Sequence, residues 1–436
     1  MLKSRILLSC GCVASLLLLG ACTKKELPVG TRISVLTTST AIKPDVADGA
    51  AHIKIAGTSG ENWLQKESNA QHIMPNAKVS TDFQKQWKSD FGTGSSKREV
   101  LLARPLIKGN TVYTLDAEGR LSAFNIADGE NLWQVELIAE NDNIEDMALK
   151  GVGLAIDGNK IYITTGFGVV VAAQTADGAK IWERNLGMPL RIAPTVADGK
   201  VFVQSADNHF FALDAADGEI MWDYDTAMEN TTIMGGAMAA YSKSADMVIT
   251  GFSNGEAQAF GANIGTPLWS TDLVENSYAY SSTFLHTIKA SPIIDGDVVY
   301  LLGSADVFTA INMRTGAPKW QKKIGGTLTP LLSGNTLFAV TNSNELIAVD
   351  KENGNVLWAT ALDLGKKPAK ITVHAPVMLN SRLVIALSDG NVLTYDPQTG
   401  KQLSKVDIDE DLVASPIAAG GYIIFTTANA KIVAYK

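Results

Sequence analysis

Residue types that could do chemistry are few in this chain, and they are scattered. The five histidines are His52, His72, His209, His286 and His374, and no two share the spacing of a metal-ligand pair. Cys10, Cys12 and Cys22 all lie close to the N-terminus. The sequence holds no phosphate-binding loop and no complete dinucleotide glycine fingerprint. Gly166-Phe167-Gly168 lacks the following helix that would make it a phosphate site, and it reads as a hairpin turn. Asp407-Ile408-Asp409-Glu410-Asp411 has the opening of a calcium loop. Leu412 then stands where the sharp turn needs Gly, and Ala418 where a bidentate Glu is required. The run reads as a solvated acidic loop. These residues predict no catalytic centre, no metal and no cofactor.

The elements that would position any site are announced by tryptophan. Trp87, Trp133, Trp182, Trp222, Trp269, Trp320 and Trp358 are spaced by 46, 49, 40, 47, 51 and 38 residues. Six of them follow a Gly by four positions: Gly129, Gly178, Gly218, Gly265, Gly316 and Gly354. A period of about 40–50 residues marks a propeller or a solenoid. Within one unit, short apolar runs alternate with Asp-Gly turns, as in Asp198-Gly199 and Asp217-Gly218. That pattern predicts hairpins, four strands to a unit, and no sustained helical periodicity follows residue 83. A first-strand element recurs at Arg104-Pro105, Ala155, Ala193-Pro194, Gly236-Ala237, Ser291-Pro292, Thr329-Pro330, Ala375-Pro376 and Ser415-Pro416.

The two ends of the array are complementary. The last unit stops after its third strand at Ala434-Tyr435-Lys436, and Phe83 to Trp87 is a fourth strand with no preceding three. Joining them completes an eighth unit and removes the exposed edge of an open array. The expected fold is all-β, an eight-bladed β-propeller of four-stranded antiparallel blades over residues 61–436, its ring closed by an N-terminal strand. In the seventh unit the Trp position is Ser404, 46 residues past Trp358. The repeated Trp is expected to be structural, its indole lying over the neighbouring blade beside a Gly that permits the approach.

The N-terminus reads as an export signal. Lys3 and Arg5 precede an apolar run from Ile6 to Leu19, too short for a membrane span, and Leu19-Gly20-Ala21-Cys22 follows. That block resembles a bacterial lipobox, which makes residues 1–21 a signal peptide and Cys22 the lipidated N-terminus. Loss of Lys3 and Arg5 takes the charge from −8 to 35 − 45 = −10, and one Cys remains, so no internal disulfide is possible. Residues 22–60, with many Thr, Ser, Ala and Gly, read as a flexible tether. The acidic balance argues against a nucleic-acid partner.

Two connections between units exceed the short norm. Tyr224 to Gly236 contains Ile233, Met234, Gly235 and Gly236. Thr271 to Ala290 contains Tyr278, Tyr280, Phe284 and Lys289. Long loops on a rigid scaffold are the usual carriers of binding, and aromatic and Met side chains are enriched at interfaces. These are the candidate partner-binding residues. The alternative is that the loops cover blade edges or plug the channel.

The repeat Ala-x-Asp-x-x-(Thr/Asp)-Gly-x-x-x-Trp resembles that of quinoprotein (PQQ-type) propellers. With the lipobox and eight units, the chain is similar to the BamB family, lipoprotein subunits of the outer-membrane β-barrel assembly (BAM) machinery. Trp63-Leu64-Gln65, Ser68 to His72 and Gly251 to Glu256 resemble its α-proteobacterial branch. The resemblance implies a non-catalytic scaffold at the periplasmic face of the outer membrane. It would bind the POTRA domains of BamA, with other BAM subunits and unfolded outer-membrane proteins as further partners. Thr23 after Cys22 is not the Asp of inner-membrane retention. The family's contact positions fall near Thr231, Thr232, Thr287 and Lys289; none carries the family residue, so those roles are not transferred. Two other readings are a quinone-dependent dehydrogenase, which would need adjacent cysteines and acidic calcium ligands, and a general periplasmic binding propeller.

Overall fold

The computed structural model describes residues 41–47, 49–80, 83–96, 100–137, 150–227, 235–274 and 286–436. The chain divides into two units, residues 1–41 and 42–436. The second is built from eight sheets of four antiparallel strands, one of them extended by two short parallel strands, Thr58–Ser59 and Asn76–Ala77. Blades 1 to 7 span residues 106–136, 151–185, 195–225, 240–272, 293–322, 331–361 and 377–407. Blade 8 combines Ile417–Ala419, Tyr422–Thr426 and Lys431–Tyr435 with the N-terminal strand Lys85–Asp90. The closing strand pairs Lys85 with Tyr435, Trp87 with Ala434 and Asp90 with Lys431. The expected ring closure is present in this register. The only helices among the described residues are two 3-10 turns, Gly49–His52 and Pro368–Lys370.

Seven of the eight seams between blades follow one rule. Each Trp on an outer strand lies opposite an Ala on the third strand: Ala123, Ala172, Ala212, Ala259, Ala310, Ala348 and Ala434. The small side chain leaves room for the indole to reach the next blade. There it covers a Gly at φ between 66° and 76°, where an added Cβ would come within 2.5–2.8 Å of the ring. Only Gly satisfies both the left-handed backbone and the close approach. Six indoles also donate a hydrogen bond to that blade, as Trp222 Nε1 does to Ala262 O at 2.9 Å and Trp358 Nε1 to Pro397 O at 3.0 Å. Trp133 differs: the hydroxyl of Tyr113 donates to the carbonyl at its seam, Thr175 O, at 3.2 Å.

The closing seam inverts the rule. Ser404 takes the Trp place on blade 7, opposite Thr394 and not Ala. Phe83, four residues before Trp87, takes the Gly place on blade 8 and carries its positive φ of 45°. Its ring stacks on Tyr435 at 4.6 Å and meets Phe425 edge-on at 6.3 Å. Large and small have changed sides where the chain ends meet.

Residues 42–60 differ from the expected flexible tether. Asp45 pairs with Lys322 at 3.0 Å and accepts from Val356 N, Lys54 N donates to Asn335 Oδ1, and Ile53 is buried. The segment is short of periodic hydrophobics because polar and backbone bonds, more than an apolar face, tie its described residues to the blades.

Candidate functional site

Antiparallel alternation places the turns between first and second strands at one end of the ring and the connections between blades at the other. Residues 54–80 lace across the first of these ends and touch every blade. Asn62 Oδ1 accepts from Gly109 N, and Trp63 exchanges both backbone hydrogen bonds with Ile107 of blade 1. Leu64 O accepts from Ile156 N of blade 2, and Gln65 Nε2 donates to Val196 O of blade 3 at 2.7 Å. Ala70 O and Gln71 O accept from Tyr241 N of blade 4 and Ile294 N of blade 5. Ala56 N donates to Ser333 Oγ of blade 6. Asn76–Ala77 pairs in parallel with Met378 and Leu379 of blade 7, and Ser80 N donates to Gly421 O of blade 8. Trp63 to Gln65 and Ser68 to His72, which carry the resemblance to the α-proteobacterial branch, lie within this lace. Trp63, the one Trp outside the repeat and almost fully buried, was the signal available.

The lace carries charge into the middle of the ring. Arg104, on the approach to blade 1, pairs with Glu67 at 3.3 Å, both side chains 5% exposed. Its guanidinium donates further to Lys66 O at 3.0 Å and Ser415 O at 3.1 Å, and lies 5.8 Å from the Trp63 ring centre. Glu67 also accepts from Thr329 Oγ1 at 3.4 Å. Burial holds the Lys66 ammonium below its usual range, against the pull of Glu67 and helped by Arg104 and Lys289. Burial lowers Lys289 as well. His374 donates from Nε2 to Leu412 O at 3.2 Å, yet burial brings its pKa down to about 4, with Arg104 and Lys289 adding to the effect. His72, fully buried, donates from Nδ1 to Pro292 O at 2.6 Å and is likewise held neutral by burial. Three cations thus share the channel with one carboxylate. Such an arrangement fastens the lace; removing one member of the buried pair would leave an unpaired charge.

The expected binding residues are placed in part. Gly235, Gly236 and Lys289 come together at the end where the blades are connected. A Cβ on Gly235 would meet Lys289 Cε at 3.4 Å, and one on Gly236 would meet Ile192 Cδ1 at 2.5 Å. Gly235 and Gly236 line a cleft of about 20 Å³ with Arg191, Asn208 and Thr287, too small for an organic cofactor. Ile233, Met234, Tyr278, Tyr280 and Phe284 lie outside the described residues, as does Cys22. Gly168 N donates back to Thr165 O in a hairpin turn. In the acidic run, Asp407 Oδ1 accepts from Asp409 N, and Glu410 pairs with Lys88. Among the described residues no group of three or more His, Cys, Asp or Glu is placed to hold a metal.

Fold and seams together define an eight-bladed propeller of PQQ-like repeats, laced across one end by its own N-terminal segment. The family model described as outer membrane protein assembly factor BamB matches residues 77–151 and 146–360. The chain belongs to this family. It is 23% identical to the BamB of Yersinia pestis over 388 residues, 88% of this chain and 97% of that one. It is 24% identical to the BamB of Escherichia coli K12, covering 86% and 94%. The crystal structure of BamB from Moraxella catarrhalis superposes with a TM-score of 0.68 at 17% identity, over 81% of this chain and 99% of that one. Quinohemoprotein alcohol dehydrogenase from Comamonas testosteroni superposes with 0.67 at 12% identity, over 86% and 80%. That second likeness is one of fold, which does not carry a reaction with it. The relatives' names point to a non-enzymatic assembly factor of the outer membrane.

Proposed function

We propose that this protein is a non-catalytic scaffold lipoprotein of the BAM complex, held at the periplasmic face of the outer membrane by a lipid on Cys22. It binds the POTRA domains of BamA and assists the insertion of outer-membrane proteins. Family membership carries this reading. The architecture supports it: a ring braced by an indole at seven of its eight seams and laced at one end offers a stiff base for the two long connections at the other. Gly235, Gly236 and Lys289 meet at the roots of those connections.

The test is co-purification from detergent-solubilised envelopes. BamA should be recovered with the tagged chain, and Met234→Ala with Tyr280→Ala should reduce its recovery while leaving thermal unfolding unchanged. Equal loss of recovery and stability would make these loops structural, and no BamA with the unaltered chain would end the scaffold reading. Cys22→Ser should release the protein from the membrane fraction.

A further inference from the structure

The inverted seam between blades 7 and 8 leaves space that the other seams fill. A cleft of about 410 Å³ opens there, lined mainly by apolar side chains. Phe83, Val384, Leu403, Ser404, Val406 and Phe425 are among the residues that line it. Leu403 and Val406 are 43% and 40% exposed; the exposure of Leu403 is shared by Leu132, Met221 and Leu268 at the same place in other blades. A cavity of about 150 Å³ is enough to hold a benzene ring, so an indole fits within this volume. In the other seven seams an indole supplied by the chain lies over a Gly; here Phe83 stands in the Gly place, so a ring entering the cleft lies beside Phe83 and not over it. Arg382 stands at the mouth, exposed, with no ion pair to any described residue. A free guanidinium beside an apolar cleft complements a ring with a carboxylate near it.

We propose that this cleft docks a partner polypeptide presenting an aromatic side chain with an adjacent carboxylate, the ring entering beside Ser404 and the acid meeting Arg382. The site is separate from Gly235, Gly236 and Lys289, and the proposal does not depend on the scaffold reading.

N-acetyltryptophan, which carries both groups, is the probe, titrated into the detergent-solubilised full chain and followed by protein NMR or calorimetry. Saturable binding in the millimolar range is expected, about two- to fivefold weaker for the neutral amide N-acetyltryptophanamide and for Arg382→Ala. The double variant Phe83→Gly with Ser404→Trp restores the rule of the other seams and should weaken binding at least tenfold. If that variant does not fold, Val406→Trp at the mouth serves the same purpose. Undiminished affinity in the filled variant overturns the site, as does failure of the unaltered chain to saturate. Equal affinity for acid and amide overturns the role of Arg382.

Discussion

The seam between blades 3 and 4 and the seam between blades 7 and 8 solve one problem in opposite ways. At the first, Trp222 crosses to Gly265 and donates to Ala262 O. At the second, Ser404 stays short and Phe83 projects from the far side. The difference follows from chain connectivity. In blades 1 to 7 the covered Gly sits in a tight turn between third and fourth strands. Blade 8 has no such turn, because its fourth strand comes from the other end of the chain. Without the turn there is no Gly to cover, and a covering indole loses its hydrogen-bond partner.

Trp222→Ala is expected to separate the two seams most strongly. The indole is buried among Phe202, Phe210 and Phe260, so its removal should cost about 3–5 kcal/mol. A urea titration would show the midpoint fall at constant slope. Comparable loss from substituting Ser404 would erase the distinction.

A second difference is pH sensitivity. His374 bridges the approaches to blades 7 and 8 through Leu412 O. Its pKa is about 4 in the folded state against an ordinary value of 6.5, so between these values the unfolded chain binds the extra proton. Stability from this group is therefore full above about pH 6.5 and lost as pH falls toward 4, on the order of 3 kcal/mol in all. His374→Gln should flatten the stability curve over that window relative to the unaltered protein. Parallel curves for the two proteins would assign the slope to His72 or other groups.

Gly265→Ala ranks next, at roughly 2 kcal/mol, because the new methyl meets Trp222 at 2.6 Å and forces alanine to φ +69°. In the Trp222→Ala background the clash disappears, so the cost should shrink to the backbone part. Simple additivity of the two would mean that indole and glycine are not coupled.

These seams explain what could be read in advance. The Trp and the Gly lie four residues apart, and six of the eight units restate the pair, so blade number and closure are local information. Even Ser404 was visible as a gap in the count. The lace was not visible, because Trp63 pairs with Ile107 and Ala77 with Leu379 through backbone groups that any side chain can accompany. The same holds for residues 42–60, whose composition resembles a tether while Asp45 and Lys54 are tied to blades 5 and 6. The channel charges were hidden for another reason. Arg104, Lys289 and His374 each precede a first strand, and only closure of the ring turns that shared position into a shared site.

Ser404→Ala is the smallest predicted effect and the most direct check on the inverted seam. The side chain contributes one hydroxyl to an open cleft, and its removal should change stability by no more than about 0.5 kcal/mol. Ser404→Trp alone should behave quite differently from a repaired repeat. Phe83 already occupies the Gly place, so the new indole meets a Cβ of the kind that every other seam excludes, and the opposing Thr394 is larger than the usual Ala. Destabilisation by the single change, relieved when Phe83→Gly is added, would show that positions 83 and 404 form one unit. If the single change instead stabilises the protein, an indole tethered at position 404 clears Phe83, and positions 83 and 404 are not coupled.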